Sequence, residues 1–168
     1  MILEKSGVSK GSLYHHFDDL SDLIETALVG LFVASVDANI ASITRVFDAA
    51  TCRASFVAGL AQVTHDTQGA GLRAVRFRRA RLLAYAEGRP RLMEKMACEQ
   101  ARLTRCYTRL FATAQDNGWF NRDFDPQAAA VFIQAYTIGK IVDDVTTEPM
   151  DPAAWNVLIM KIVDRVFI

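Results

Sequence analysis

Seven polar or small residues near the start of the chain have the types and the spacing to contact a nucleic acid. They belong to a short predicted helix, 10–16, whose N-cap is Ser9. Lys10 and the hydroxyl of Tyr14 suit phosphate oxygens, while Ser12 suits a phosphate or a base edge. Gly11 lets a helix approach a duplex closely. The DNA-binding candidates are Ser9, Lys10, Gly11, Ser12, Tyr14, His15 and His16.

The residues around this short helix predict a helix-turn-helix arrangement. Gly7 suits the left-handed position that ends a preceding helix. Leu13 and Phe17 are four positions apart, so both anchor the same inner face of the short helix. A helix, a glycine turn and a second helix with a polar outer face are the layout of a DNA-binding helix-turn-helix unit.

The segment 7–17, G-V-S-K-G-S-L-Y-H-H-F, followed by D-D-L-S-D-L, resembles the signature of TetR/AcrR-family transcriptional regulators. That signature reads G-V-S-x-G-[ST]-L-Y-x-[HY]-F, then a short turn and a long helix. The resemblance covers residues 2 to about 28. The segment 117–130, N-G-W-F-N-R-D-F-D-P-Q-A-A-A, is similar to the turn before the dimer-forming helices of many members.

The resemblance implies a ligand-responsive transcriptional regulator of the bacterial cytoplasm, with a repressor favoured over an activator. Such a regulator acts as a homodimer on a palindromic double-stranded DNA operator. It divides the chain into a helix-turn-helix remnant, 1–18, and a helical regulatory and dimerisation domain, 19–168. Two features depart from the family. Only the end of the second helix, 2–6, precedes the motif, so we expect a truncated DNA-binding domain. Leu20 stands where members commonly carry a phosphate-binding lysine.

The 3.6-residue hydrophobic period recurs along the rest of the chain and predicts an all-α fold. Aspartates and prolines mark the predicted helix starts, and glycines mark the ends. The predicted helices are about 19–48, 52–67, 72–86 and 90–117, with further helices starting at 126 and 152.

Apolar residues of the middle helices supply the candidates for a small-molecule site, which the resemblance places there. An apolar or aromatic effector suits them, because no group of buried charges is evident. These candidates are Phe56, Leu60, Val63, Phe77, Tyr85, Met96, Tyr107 and Phe111. Taken singly, each is more typical of a core position. The dimer-interface candidates are Tyr136, Gly139, Val142, Trp155, Leu158 and Ile162, with a monomer as the alternative.

Other classes of site have little support in the sequence. No cofactor motif or catalytic constellation is evident, so we expect no enzyme. Adjacent His15 and His16 point about 100° apart on a helix and do not suit one metal ion. No apolar run reads as a membrane span, and no cofactor or membrane partner is expected. The cysteines predict reduced thiols, with Cys98 and Cys106 buried.

The charge distribution argues against a simple DNA-binding surface at the N-terminus. Residues 1–50 carry three cations against seven anions, whereas residues 70–110 carry eleven cations against three anions. The arginines of 73–81 circle their helix and are interpreted as a solvated face, with pairing to the acids of the first helices as an alternative. A second hypothesis is therefore a dimeric helical small-molecule-binding or scaffold module that does not bind DNA.

Overall fold

In the computed structural model, which describes residues 15–167, every regular element is helical and no strand forms. The predicted all-α class is therefore confirmed for this part of the chain. The helix bounds lie within about two residues of those predicted. The elements are α1 (Leu20–Ala49), α2 (Arg53–Gln68), a 3₁₀ turn (Ala70–Leu72), α3 (Arg73–Ala86), α4 (Pro90–Asp116), α5 (Pro126–Gly139), α6 (Ile141–Asp144), α7 (Pro152–Ile162) and a π-helical end (Val163–Phe167).

Local signals set these bounds. The side chains of Asp19, Asp125 and Asp151 each accept a backbone N–H from the first turn of the helix that follows. Such caps satisfy N–H groups that have no partner within the helix. Gly88 and Gly118 adopt positive φ angles of 73° and 71° in the turns that flank α4. Glycine adopts this conformation without a steric penalty, so both turns are sharp.

The core forms where α1 crosses α2 and α4, α4 packs along α5, and α2 packs against α7. Phe56 and Phe111 are completely buried at its centre. The ring of Phe47 lies 5.0 Å from that of Phe56, edge to face. Gly59 allows α2 to approach α1, because a Cβ atom there would lie 2.6 Å from a methyl of Val46. This core fixes the directions of α1 and α4, which border the candidate sites.

Helix α1 is long and apolar enough, by length and composition, to cross a membrane. Its most apolar stretch has a mean hydropathy of 1.6, and 17% of that stretch is buried within the protein. The sequence expectation that no segment reaches this length is therefore wrong for α1. Phe32, Val36 and Ile43 lie in the core, whereas Leu20 and Leu31 are half exposed. Part of the apolar surface of α1 thus has no cover within the described chain.

Candidate functional site

The structure describes the end of the predicted DNA-binding segment. His15 and His16 are helical and exposed, with ring centroids 5.1 Å apart in an edge-to-face arrangement. Phe17 is half-buried, and α1 begins three residues later. The predicted polar segment therefore ends directly before the long helix. The other candidates, Ser9, Lys10, Gly11, Ser12 and Tyr14, lie outside the described residues.

A charged cleft of about 590 Å³ separates the start of α1 from the turn between α3 and α4. Acidic residues of α1 face basic residues of the turn across it. Arg89 approaches Glu25, with 3.9 Å between Nε and Oε1, and its guanidinium lies 3.8 Å from the centroid of the Tyr85 ring. This contact connects the start of α1 to the helical body. The charged lining comprises Asp18, Asp19, Asp22, Glu25, Arg89, Arg91 and Lys95.

The predicted ligand-binding residues lie mainly in the core. Those that are buried are Phe56, Leu60, Met96, Tyr107 and Phe111, and those that are half-buried are Val63, Phe77 and Tyr85. Burial raises the pKa of Tyr107 to about 12, so its phenol is neutral at physiological pH. None of the eight lines a cavity described below. Their role in ligand binding stays a prediction.

A groove between α1 and α3 contains a largely buried arginine. The Nη2 of Arg79 donates to the Oε1 of Gln100 at 2.8 Å, and the guanidinium lies 5.8 Å from the ring centroid of Phe32. Its Nε is inaccessible to water and has no hydrogen-bond partner among the described residues. Burial lowers the pKa of Arg79. We call this site the Arg79 groove; its lining is Leu28, Leu31, Phe32, Ser35, Val75, Arg78, Arg79 and Leu82.

A second arginine of α3 is buried in an ion pair. Arg76 binds Asp144 in a bidentate manner, with Nε to Oδ2 at 2.5 Å and Nη2 to Oδ1 at 2.7 Å, and its Nη1 donates to the carbonyl of Thr67 at 3.2 Å. The hydrogen bonds from Arg76 lower the pKa of Asp144. Nearby, Lys140 pairs with Asp143, whose pKa is lowered by that hydrogen bond. No group of buried charges was evident from the sequence, but the structure contains this one.

The arginines of α3 do not form a uniformly solvated face. Arg76 is buried and Arg79 largely so, whereas Arg73, Arg78 and Arg81 are exposed. The helical spacing of the sequence indicates that Arg79 is buried. The core residues Leu82 and Ala86 follow Arg79 by three and seven positions, so Arg79 must lie on the inner face. The arginine–acid contact at the start of α1 is made instead by Arg89.

A polar cavity of about 300 Å³ lies beside the Arg76–Asp144 pair. Gln68, Lys140 and Asp143 contribute to its wall. The Oε1 of Gln68 accepts from the indole N–H of Trp155 at 3.2 Å, while its buried Nε2 lacks a partner among the described residues. Such a buried donor is typical of a site that holds a water molecule or another acceptor.

The dimer-interface candidates divide into two groups. Tyr136 and Trp155 contact α2 of their own chain: the hydroxyl of Tyr136 lies 3.3 Å from that of Thr64, and Trp155 binds Gln68. Burial raises the pKa of Tyr136. Val142, Leu158 and Gly139 are exposed, and Ile162 is half-buried. Gly139 is the last residue of α5, and, apart from its chain neighbours and the backbone of its own helix, no described atom lies within 4 Å of the position that a Cβ would take.

Exposed apolar residues lie on both α5 and α7. The two helices come near each other at their ends: Lys140, which follows α5, lies 5.9 Å from the Trp155 ring centroid, and the Phe132 ring centroid lies 5.5 Å from that of Phe167, which follows α7. The residues recur every three or four positions on both helices, and the sequence analysis missed Val131, Phe132 and Val157. The α5–α7 face comprises Ala128, Val131, Phe132, Ala135 and Gly139 of α5 with Ala154, Val157 and Leu158 of α7.

The three cysteines are free thiols, and the described residues contain no cluster of metal ligands. No group of three or more His, Cys, Asp or Glu side chains there could hold a metal ion. Cys98 is exposed and Cys106 is half-buried, so the expectation that both are buried is wrong for Cys98 and only partly met for Cys106.

Comparisons with protein-family models, with curated proteins and with solved structures find no match to this chain.

Proposed function

We propose that the protein is a TetR-like transcriptional regulator that binds palindromic DNA as a homodimer and responds to a small molecule. The observation that carries the proposal is the motif G-V-S-K-G-S-L-Y-H-H-F at residues 7–17. It ends directly before α1, a helix of 30 residues that continues into the core. One helix therefore belongs both to the proposed DNA-binding unit and to the helical body.

The α5–α7 face supports a homodimer. Large apolar side chains of both helices are exposed, and exposed apolar patches are typical of protein interfaces. Packed against the same face of a second copy about a two-fold axis, the helices would form a four-helix arrangement. The same axis would relate two DNA-binding units, as a palindromic operator with half-sites about one helical turn apart requires.

Regulation then follows from a population shift. A ligand that binds better to one spacing of the two DNA-binding units than to another shifts the dimer towards that spacing. The α1 helix transmits the change, since its start is connected to the α3–α4 turn through Arg89 and Glu25. Operator affinity falls by the ratio of the ligand's affinities for the two states.

The DNA-binding role is tested by selection from random duplexes about three helical turns long with the full-length protein. We expect an inverted repeat to be enriched. Tyr14→Ala should weaken binding to the enriched duplex in fluorescence anisotropy, because a phosphate contact is lost, while the circular-dichroism melting curve stays unchanged. His65→Ala, an exposed substitution on α2, is the matched control. Absence of any enriched sequence would contradict the proposal.

The homodimer is tested by charge insertion. Val131→Glu and Leu158→Glu place carboxylates on the α5–α7 face, where both residues are about half exposed. Light scattering after size exclusion should show a monomer for both variants and a dimer for the wild type. Leu83→Glu on α3 is the control, since Leu83 is similarly exposed and lies outside that face. Dimers in all four proteins would exclude the α5–α7 face as the interface.

A second candidate function is a dimeric ligand-binding or scaffold module that does not bind DNA. The acidic balance of residues 1–50 and the exposed Leu20, where the family commonly carries lysine, favour it. The two functions differ in one result. The module predicts a dimer through the α5–α7 face together with a duplex selection that enriches no sequence.

A further inference from the structure

We propose that the Arg79 groove binds an amphipathic monoanion, with a carboxylate on the guanidinium of Arg79 and an unbranched apolar tail along α1 and α3. The inference rests on the proposed function, because it names the chemical class of the small molecule and its site.

The positive charge of Arg79 favours the binding of an anion. A buried cation is costly unless an acid pairs with it or several acceptors bind it. Among residues 15–167, no carboxylate oxygen lies within 4.0 Å of Arg79. Its one side-chain acceptor is the neutral amide of Gln100, and its Nε has none. The orientation of the Gln100 amide is fixed by a second hydrogen bond, because its Nε2 donates to the Oε1 of Gln134 at 2.5 Å.

The walls of the groove suit an apolar tail. Leu31 and Val75, one on each helix, are 50% and 40% exposed at its rim. Phe32 and Leu82 are buried at its floor. Both Leu31 and Val75 are therefore in contact with water in the isolated chain. A tail lying between them would remove both from water, which is favourable in proportion to the apolar area covered.

The groove has room for a small head group. The groove has a cavity volume of about 60 Å³, and about 10–15 Å³ on this measure is enough to hold one water molecule. A carboxylate fits this space, and its two oxygens match the planar donor fork of an arginine. Arg81, on the same helix, is exposed and does not line the groove, so it provides a matched control.

The test uses decanoate, decanol and acetate as probes, below the micelle concentration, with the full chain in titration calorimetry. We expect decanoate to bind about tenfold or more tightly than decanol, because the carboxylate gains a charge-assisted hydrogen bond. Arg79→Gln should reduce decanoate affinity about tenfold and leave decanol unchanged. Arg81→Gln should change neither by more than about twofold. Acetate should bind far more weakly than decanoate.

Three results would overturn the inference: equal affinities for decanoate and decanol, no loss in Arg79→Gln, or acetate binding as tightly as decanoate. Val75→Ser alters an exposed position, so folding is preserved, and it should weaken decanoate through the tail alone. Because calorimetry needs no DNA, a negative result here alongside an enriched operator rejects only the ligand class. Binding of decanoate without an enriched operator rejects only the DNA-binding role.

Discussion

Arg76 and Arg79 lie three residues apart on α3, and both reach into the protein, but their surroundings differ. Arg76 binds the carboxylate of Asp144 through two hydrogen bonds and also a backbone carbonyl. Arg79 has one neutral acceptor and borders an apolar groove. Arg76 therefore connects α3 to α6 within the chain, whereas the Nε of Arg79 has no hydrogen-bond acceptor among the described residues.

The difference separates a structural charge from a candidate binding charge. A buried pair is strongly destabilised when one partner is removed, because the other charge is left buried alone. A buried charge without an acid partner carries that cost in the native state already. It persists where another function retains it, and substrate or effector binding is one such function.

The largest expected effect is that of Asp144→Asn, which leaves the cation of Arg76 buried without its anion. We expect the free energy of unfolding to fall by about 3–5 kcal/mol. Urea denaturation at pH 7 and fixed protein concentration measures it, with the m-value as a check on two-state behaviour. The control is the double variant Arg76→Met with Asp144→Leu, which removes both charges and should recover most of the loss. A single variant as stable as the wild type would contradict the role of the pair.

The same variant predicts a dependence on pH. The pKa of Asp144 lies below its ordinary 3.8, so the stabilisation from this group is fully present above that value and is lost as the pH falls through the folded-state pKa. The stability difference between wild type and Asp144→Asn should therefore be constant from pH 5 to pH 7 and shrink below pH 4. Urea denaturation at each pH checks it. If the stability difference between wild type and Asp144→Asn increased below pH 4, this would contradict a lowered pKa for Asp144.

A smaller effect is expected for Arg79→Met. Methionine fills the space of the arginine stem, the hydrogen bond to Gln100 is lost, and the cost of a buried cation without an acid is removed. The two terms oppose each other, so stability should change by less than about 1 kcal/mol in either direction. Arg76→Met is the matched control and should cost several times more. If Arg76→Met and Arg79→Met lowered the free energy of unfolding equally, the two arginines would not differ in their structural role.

The features that could be predicted from the sequence are those that depend on residues close together along the chain, such as helix caps and turns. Asp19, Asp125 and Asp151 cap helices through residues two or three positions away, and Gly88 and Gly118 turn the chain locally. The helix bounds and the all-α class follow from such short-range chemistry. The apolar face on α5 and α7 was predicted only in part, because its exposure depends on how the helices pack.

Contacts between distant segments could not be predicted in this way. Asp144 follows Arg76 by 68 positions, so no spacing rule joins them. The apolar stripe of α1 predicted a helix but not which residues α2 and α4 would cover, and Leu31 remains half exposed while Val36 is buried. The polar groups around Arg79 come from three helices, which only the packed structure brings together.

The smallest effect is expected at a third arginine, Arg102 of α4, which lies outside the core. Its Nη2 is 2.6 Å from Asp37 and 2.8 Å from Glu99, and the bond to Asp37 raises its pKa. Water and salt screen these charges, because Asp37 is more than half exposed. Asp37→Asn should leave the melting temperature unchanged at physiological salt, in contrast to Asp144→Asn under identical conditions. A clear loss there would mean that the presence of an acid partner, rather than its burial, sets the contribution of each arginine.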